Sequence, residues 1–362
     1  MQDTEIVIRP MQPEEQSQVR ELVRRAFAPT AQIFFSWSGP VLVAEKDGDL
    51  LGGIVLKVFP LPGGRKGGLV AWVFADPDAR RLGVGRALVE GGVDYFNAAG
   101  CDEIFACVDG YNASSAKLFA TRGFSILSPG EQFRRYGWQT LTVWWRAVYF
   151  ANVGHFLWTR PPEATSDSAG LQWWGTWLLN LLFGWLAVWR LHGFRGFDAT
   201  ALLALPVALL LLLGARYLAM RGAAMAQGLQ VRYRTWESTL PITLLLAVFF
   251  GGLFPTPGSL YPRVHHWQYR ELLPKLGRMA LAGTLAVLLL TWGAWGLREF
   301  AGLGSQMQDW LGYVLFAGMP LSLVDTLFVF FPFGSFNGRR VRDWNRVIWI
   351  LLALAALGLL WI

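Results

Sequence analysis

The sequence predicts two architectures in series. An α+β domain, a mixed sheet with flanking helices, is expected over residues 1–146, and an all-α polytopic membrane domain over residues 171–362. Three observations point to this division. Before residue 146, short apolar runs that read as strands alternate with stretches of helical periodicity. After residue 170, apolar residues, which make up 54% of the 362, gather into runs long enough to cross a bilayer. Between the two lies Arg160-Pro161-Pro162-Glu163-Ala164-Thr165-Ser166-Asp167-Ser168-Ala169-Gly170, a linker by composition, within an interfacial segment at 147–170.

Ile6-Val7-Ile8-Arg9-Pro10 reads as the first strand. Pro13 to Phe27 reads as a helix, because Val19, Leu22, Val23 and Phe27 share one face. Val41 to Ala44 and Leu51 to Phe59 read as a hairpin turned by Asp47-Gly48-Asp49. Leu69 to Ala75 reads as a strand, Val84 to Glu90 opens a helix, and Glu103 to Val108 is a short strand. Trp138 to Arg160 is aromatic and half apolar. Its first part is expected to finish the sheet, and its second part, His155-Phe156-Leu157-Trp158, to lie on the membrane surface.

The turn after Leu69–Ala75 is the most informative segment. It reads Asp76-Pro77-Asp78-Ala79-Arg80-Arg81-Leu82-Gly83-Val84-Gly85-Arg86. A glycine-bearing turn from strand to helix leaves backbone N–H groups unpaired at a helix N-terminus, where the dipole also favours an anion. Gly83 and Gly85 carry no Cβ, so a pyrophosphate can approach the backbone closely. Arg-x-x-Gly-x-Gly, spelled Arg80 to Gly85, resembles the acetyl-CoA loop of the GNAT acetyltransferases. Pro77 stands where that family has its strand-ending proline. Asn112-Ala113-Ser114-Ser115-Ala116-Lys117-Leu118-Phe119-Ala120-Thr121-Arg122-Gly123-Phe124 is similar to its N-x-x-A/S-x-x-x-Y-x-x-x-G-F segment. The resemblance covers residues 1–146.

The resemblance implies that two parallel strands, ending near Ala75 and Val108, splay apart. It makes acetyl-CoA, or another acyl-CoA, the co-substrate. The pantetheine arm would add to the edge at Val73, Phe74 and Ala75. The pyrophosphate would lie on Arg80, Arg81, Leu82, Gly83, Val84, Gly85 and Arg86, with Asn112, Ser115 and Phe119 completing the cofactor-binding set. An amine would attack the thioester directly, which needs a route for its proton, a donor for the oxyanion and an acid for the leaving thiolate. The sequence departs from the family twice. Phe119 stands at the family's tyrosine acid and has no proton to give, so either Tyr111 or water replaces it, or the thiolate leaves unprotonated. No carboxylate falls in Leu69–Ala75, where the family often keeps a base. Asp109 is the nearest candidate, and it reads more readily as a turn or cap residue ahead of Asn112.

Composition narrows the rest. The 19 tryptophans do not distribute like core residues: Trp173, Trp174, Trp177, Trp292, Trp295 and Trp361 flank apolar runs, as in an interfacial belt. Mean hydropathy is +0.35, too high for two soluble domains. The net charge of +7 sits in loops between apolar runs, which fits a positive-inside bias and not nucleic acid as a partner. Cys101 and Cys107 form neither a disulfide framework nor a metal motif and read as reduced thiols. Met1 to Pro13 is polar and acidic, not a signal peptide, which predicts a cytoplasmic first domain.

Five stretches reach the length of about 20 residues that a span needs: Leu171 to Trp189, Ala199 to Met220, Ala280 to Leu297, Trp310 to Phe331 and Val347 to Ile362. A sixth, Thr239 to Phe254, is shorter and ends in Gly251-Gly252-Leu253-Phe254-Pro255, so it either spans or, buried against its neighbours, dips into the bilayer and returns, the arrangement that satisfies the positive-inside bias. That arrangement puts the loops bearing Arg221, Arg232 and Arg234, then Arg263, Arg270, Lys275 and Arg278, then Arg339, Arg340, Arg342 and Arg346 on one side. The weakly charged loops with Arg190, Arg195 and Arg298 fall on the other.

A second resemblance appears here. Phe331-Pro332-Phe333-Gly334-Ser335-Phe336-Asn337-Gly338-Arg339-Arg340-Val341-Arg342-Asp343-Trp344-Asn345 resembles the P-F-G-P-L-D-G…W-N segment of intramembrane site-2 zinc proteases. Phe254-Pro255-Thr256-Pro257-Gly258 and Ala280-Leu281-Ala282-Gly283-Thr284-Leu285 are similar to other segments of that family. The family's H-E-x-x-H helix falls at Arg216-Tyr217-Leu218-Ala219-Met220, and its ligand aspartate at Asn337. Zinc in such a site wants two imidazoles, a carboxylate and a glutamate base. Arg216 and Met220 supply no imidazole, and His192, His265 and His266 lie in loops, so no metal is expected. The expected function is that of a membrane-tethered N-acyltransferase using acetyl-CoA on an unidentified amine, fused to an inactive protease-like domain. The alternative is a non-catalytic acyl-CoA sensor whose membrane half holds a partner protein.

Overall fold

The computed structural model describes residues 5–37, 39–79, 82–162, 167–193, 198–263 and 267–362; Arg80, Arg81, Arg195, His265 and His266 lie outside the described residues. The chain divides into two compact units, residues 1–149 with 156–166, and residues 150–155 with 167–362.

The first unit is the expected mixed sheet with flanking helices. Strands β1 (Val7–Pro10), β2 (Val41–Lys46), β3 (Asp49–Pro60), β4 (Lys66–Ala75), β5 (Glu103–Asp109), β6 (Ser125–Ile126) and β7 (His155–Arg160) form one sheet in the order β1-β2-β3-β4-β5-β7-β6. Helices α1 (Gln16–Ala26), α2 (Pro29–Gln32), α3 (Val84–Ala98), α4 (Ala113–Ala120), α5 (Pro129–Tyr136) and α6 (Thr140–Arg146) connect the strands. The β2–β3 hairpin turns through Asp47 and Gly48, both at positive φ (55° and 88°), the two-residue turn whose twist matches that of paired strands. Helix α1 buries Val19, Leu22 and Val23, the face its spacing predicts, against Val43, Val55 and Phe74 of the sheet.

Trp138 to Arg160 departs from expectation. Its first part does not finish the sheet but forms α6, and its second part is no surface segment but strand β7, placed between β5 and β6. Phe156, Leu157, Trp158 and Thr159 are all buried. A strand covered on both faces shows no polar–apolar alternation, which is why its sequence reads as an apolar patch.

The second unit is helical apart from one antiparallel ribbon. It contains α7 (Ala169–His192), α8 (Ala199–Ala226), β8 (Val231–Arg234), α9 (Leu240–Phe250), β9 (Ser259–Pro262), α10 (Tyr269–Phe300), α11 (Ser305–Leu327), α12 (Asn337–Trp344) and α13 (Arg346–Gly358), with β8 paired to β9. Among the described residues three helices, α8, α10 and α11, are long and apolar enough to cross a membrane, against the five stretches expected. Helix α7 has the length, but Gln172, Thr176, Asn180 and its tryptophans dilute its hydropathy. Helix α13, at 13 residues, extends only about 20 Å, short of a hydrocarbon core of about 30 Å.

The short segment beginning at Thr239 is α9 followed by extended chain, with Leu253 to Gly258 buried. Buried irregular backbone must find partners. Asn180 of α7 supplies two: its Oδ1 accepts from Thr256 N–H at 3.0 Å and its Nδ2 donates to Thr256 C=O at 3.2 Å. Tyr233 donates its hydroxyl to the Pro257 carbonyl at 2.8 Å, and Arg216 donates to that of Gly258 at 3.0 Å.

Candidate functional site

In the first unit the site is built by a strand that leaves its neighbour. Strands β4 and β5 pair in parallel only from Gly67 opposite Glu103 to Val70 opposite Ala106, although they run on to Ala75 and Asp109. Ala71 is bulged: against β3, Val55 registers with Trp72 and Leu56 with Val70. A bulge bends its strand and sharpens the twist, which turns Trp72–Ala75 away from β5. Val73, Phe74 and Ala75 keep their β3 partners Ile54, Gly53 and Gly52. Among the described residues no ladder joins them to β5, so a backbone edge lines the cleft.

Helix α3 begins beside this edge's end. Gly83, at φ 84°, is its N-cap residue, a conformation strained for any residue with a Cβ. Val84 is buried and anchors the turn, whereas Leu82 is half exposed. At Gly85 a Cβ would meet nothing nearer than Leu118 Cδ2 at 3.6 Å, so internal packing does not require glycine there. Arg86 extends outward and pairs with Glu90 at 3.1 Å, which also receives Arg122 at 3.0 Å. Arg80 and Arg81 fall outside the described residues.

The residues after β5 mostly serve their own turn. Asp109 Oδ1 accepts the Tyr111 N–H at 2.9 Å, and the Asp109 carbonyl accepts that of Asn112 at 2.9 Å. Asn112 caps α4 by accepting the Ser115 N–H at 3.0 Å. Phe119 is core: it is buried edge-on against Phe124, with ring centroids 5.2 Å apart. Tyr111 is buried next to Asp109. Burial pushes the Cys107 thiol up to about 12, so it stays protonated at neutral pH and is no nucleophile.

The second unit contains a buried polar centre that the sequence only half anticipates. Arg216 of α8 and Asp325 of α11 form a two-pronged ion pair, Nε to Oδ2 at 3.0 Å and Nη2 to Oδ1 at 2.9 Å, with both side chains buried. Asn337, at the start of α12, donates its Nδ2 to Asp325 Oδ2 at 2.9 Å and its backbone N–H to Oδ1 at 3.1 Å. That Nδ2 also lies 3.6 Å from Met220 Sδ, and Arg340 donates to Asn337 Oδ1 at 2.7 Å. Gly283 lets α10 approach: a Cβ there would sit 2.5 Å from Met220 Cγ. Arg216, Met220 and Asn337, aligned above with the protease's ligand positions, thus converge.

Tyr217, at the position of the glutamate, does not join them. Its ring lies 5.8 Å from that of Tyr233, and its hydroxyl accepts from Arg221 at 2.7 Å. These residues do not fit zinc. A guanidinium has no lone pair to donate, its charge repels a dication, and the one carboxylate is already bound to it.

Asp325 was missed from sequence. Its signal is a carboxylate late in the largely apolar stretch that follows Asp309 in α11, a position that costs too much to be filled without a partner.

The model of the Acetyltransferase (GNAT) family matches residues 7–124. A putative zinc metalloprotease of Methanocaldococcus jannaschii is 29% identical over 140 residues, which cover 38% of this chain and 68% of that protein. It supports the protease-like part of the resemblance. Mycothiol acetyltransferase of Thermobispora bispora is 32% identical over 103 residues, 27% of this chain and 35% of that one, so the chain spans about a third of this relative. Among solved structures, ribosomal-protein-alanine N-acetyltransferase from Brucella melitensis matches at 22% identity with a TM-score of 0.29, over 33% of this chain and 85% of that one.

Proposed function

Because residues 7–124 form a GNAT acetyltransferase domain, we propose that the chain is a membrane-tethered N-acyltransferase that moves an acetyl group from acetyl-CoA to an amine. One observation carries the reading: β4 parts from β5 beyond Val70 and Ala106, beside a helix that starts on a glycine. The free edge at Val73–Ala75 offers N–H and C=O groups to the amides of pantetheine. The first turn of α3 offers N–H groups to the pyrophosphate. The amine nitrogen attacks the thioester carbon, the C–N bond forms as the C–S bond breaks, the surplus amine proton passes to Asp109 or to water, and the departing thiolate takes a proton from Tyr111 or from water. Three spanning helices tether the domain, and its cytoplasmic side supplies acetyl-CoA.

An assay of free-thiol release with a panel of amines tests this reading. Amine-dependent release is expected. Tyr111→Phe should lower the rate by about 10²–10⁴-fold if Tyr111 is the acid, while Phe119→Tyr should leave it unchanged or raise it. Acetyl-CoA binding with no amine-dependent release would favour the acyl-CoA sensor, which the core position of Phe119 and the turn role of Asp109 support.

For the second unit we infer a protease-like scaffold in which the Arg216–Asp325 pair stands in for a metal centre. Elemental analysis of the detergent-solubilised protein should find no stoichiometric zinc. Zinc that is present and disappears in His265→Ala/His266→Ala would reopen the protease reading.

A further inference from the structure

Helix α6 is apolar on two faces. Thr140, Val143, Trp144 and Ala147 form its buried inner face. Trp138, in the turn before it, and Leu141, Trp145 and Val148 follow at spacings of three, four and three residues. They are 87%, 52%, 70% and 46% exposed, and Phe133 of α5 adds a fifth exposed apolar side chain. Leu141 and Trp145, four residues apart within α6, share one side of the helix, and Trp138 and Val148 flank it at either end. A contiguous apolar stripe, unlike a lone surface leucine, marks a contact surface.

We propose that this stripe docks the first unit onto the surface of an anionic bilayer. Three observations select a bilayer over a protein. The stripe carries two tryptophans, Trp138 and Trp145, whose amphipathic rings settle at the headgroup level. Its rim is cationic: from Ser128 to Val148 the sole acid is Glu131, buried and paired with Arg134 and Arg135, and Arg134 remains 65% exposed. Such basic rims gain from anionic lipid. Finally, only the eight residues Pro161–Ser168 separate β7 from α7, at most about 29 Å of chain. This link and α7 tether the first unit to the spanning helix α8. This rests on the membrane-tethered reading above and adds the surface by which the domain lies down.

The test uses the full chain in vesicles of phosphatidylcholine and phosphatidylglycerol. In a Cys101→Ser/Cys107→Ser background, Leu141→Cys carries an environment-sensitive fluorophore, and Val7→Cys on β1, also exposed, carries the control. Docking predicts several-fold stronger quenching by brominated lipid at position 141 than at position 7, with the reverse order for aqueous iodide, and weaker lipid quenching in vesicles of phosphatidylcholine alone. Equal iodide quenching at both positions overturns the proposal. So does shielding from both quenchers accompanied by excimer formation from a pyrene at 141, which would make a second copy the occupant. Acetyl-CoA affinity, measured on the same vesicles, reports on the acyltransferase reading separately. The variant Trp138→Ser/Leu141→Ser/Trp145→Ser should keep that affinity while the domain lifts off.

Discussion

Asp325→Ala is expected to unfold the second unit or to halt its accumulation. Asp325 is fully buried and accepts four hydrogen bonds, two from Arg216 and two from Asn337, with the Thr284 hydroxyl 3.4 Å away. Removing it leaves a guanidinium without a counter-charge in an apolar interior. Breaking a buried pair from one side typically costs about 3–5 kcal/mol, a large part of the roughly 5–15 kcal/mol that holds a domain folded. Removing both charges costs far less, because desolvation of the pair nearly offsets its attraction. Arg216→Met combined with Asp325→Leu should therefore recover much of the loss, although Asn337 N–H then needs another acceptor. Thermal unfolding in detergent, followed by near-ultraviolet circular dichroism, measures both variants. A single mutant that melts with the parent would show that the pair contributes nothing to the fold.

Gly83→Asp and Gly85→Asp should each abolish acetyl-CoA binding, for different mixtures of reasons. At Gly83 the φ of 84° already strains any side chain, by about 1–2 kcal/mol, and a carboxylate adds repulsion. At Gly85 the backbone tolerates a Cβ, since the nearest atom would be 3.6 Å away. The loss there comes from the ligand alone. Charge-assisted hydrogen bonds contribute about 1.5–3 kcal/mol each, so losing two weakens binding by more than about 10²-fold. Gly85→Ala is the discriminating variant: its fold should be unperturbed while its affinity falls. Calorimetry on the full chain decides the matter, and unchanged affinity in both aspartate variants would remove the loop from the binding site.

What was legible in the sequence was local. The Asp47-Gly48 turn, the one-sided spacing of Val19, Leu22 and Val23, and the glycines ahead of α3 each dictate structure through their own backbone or through neighbours three and four residues away. The parting of β4 from β5 came from family resemblance; its physical cause, the bulge at Ala71, has no composition of its own. Strand β7 was hidden because burial on both faces erases alternation. The polar centre was half visible. The protease-like segments brought Arg216, Met220 and Asn337 to one place, but the residue that binds Arg216 and Asn337 is Asp325, which no motif contains. A partner 109 residues away leaves no periodic trace.

That separation also has a temporal side. At a ribosomal pace of roughly 5–20 residues per second, the guanidinium of Arg216 emerges about 5–22 s before its carboxylate. A chain that inserts while it is being made must therefore lodge α8 with a cation that has nothing to neutralise it. Arg216 stands ten residues from the end of α8, about 15 Å along the axis, and a long basic side chain can lean that charge toward the headgroups meanwhile. Arrival of α11 then draws it inward. The ion pair can close only once α11, the fifth helix of the second unit, has been synthesised.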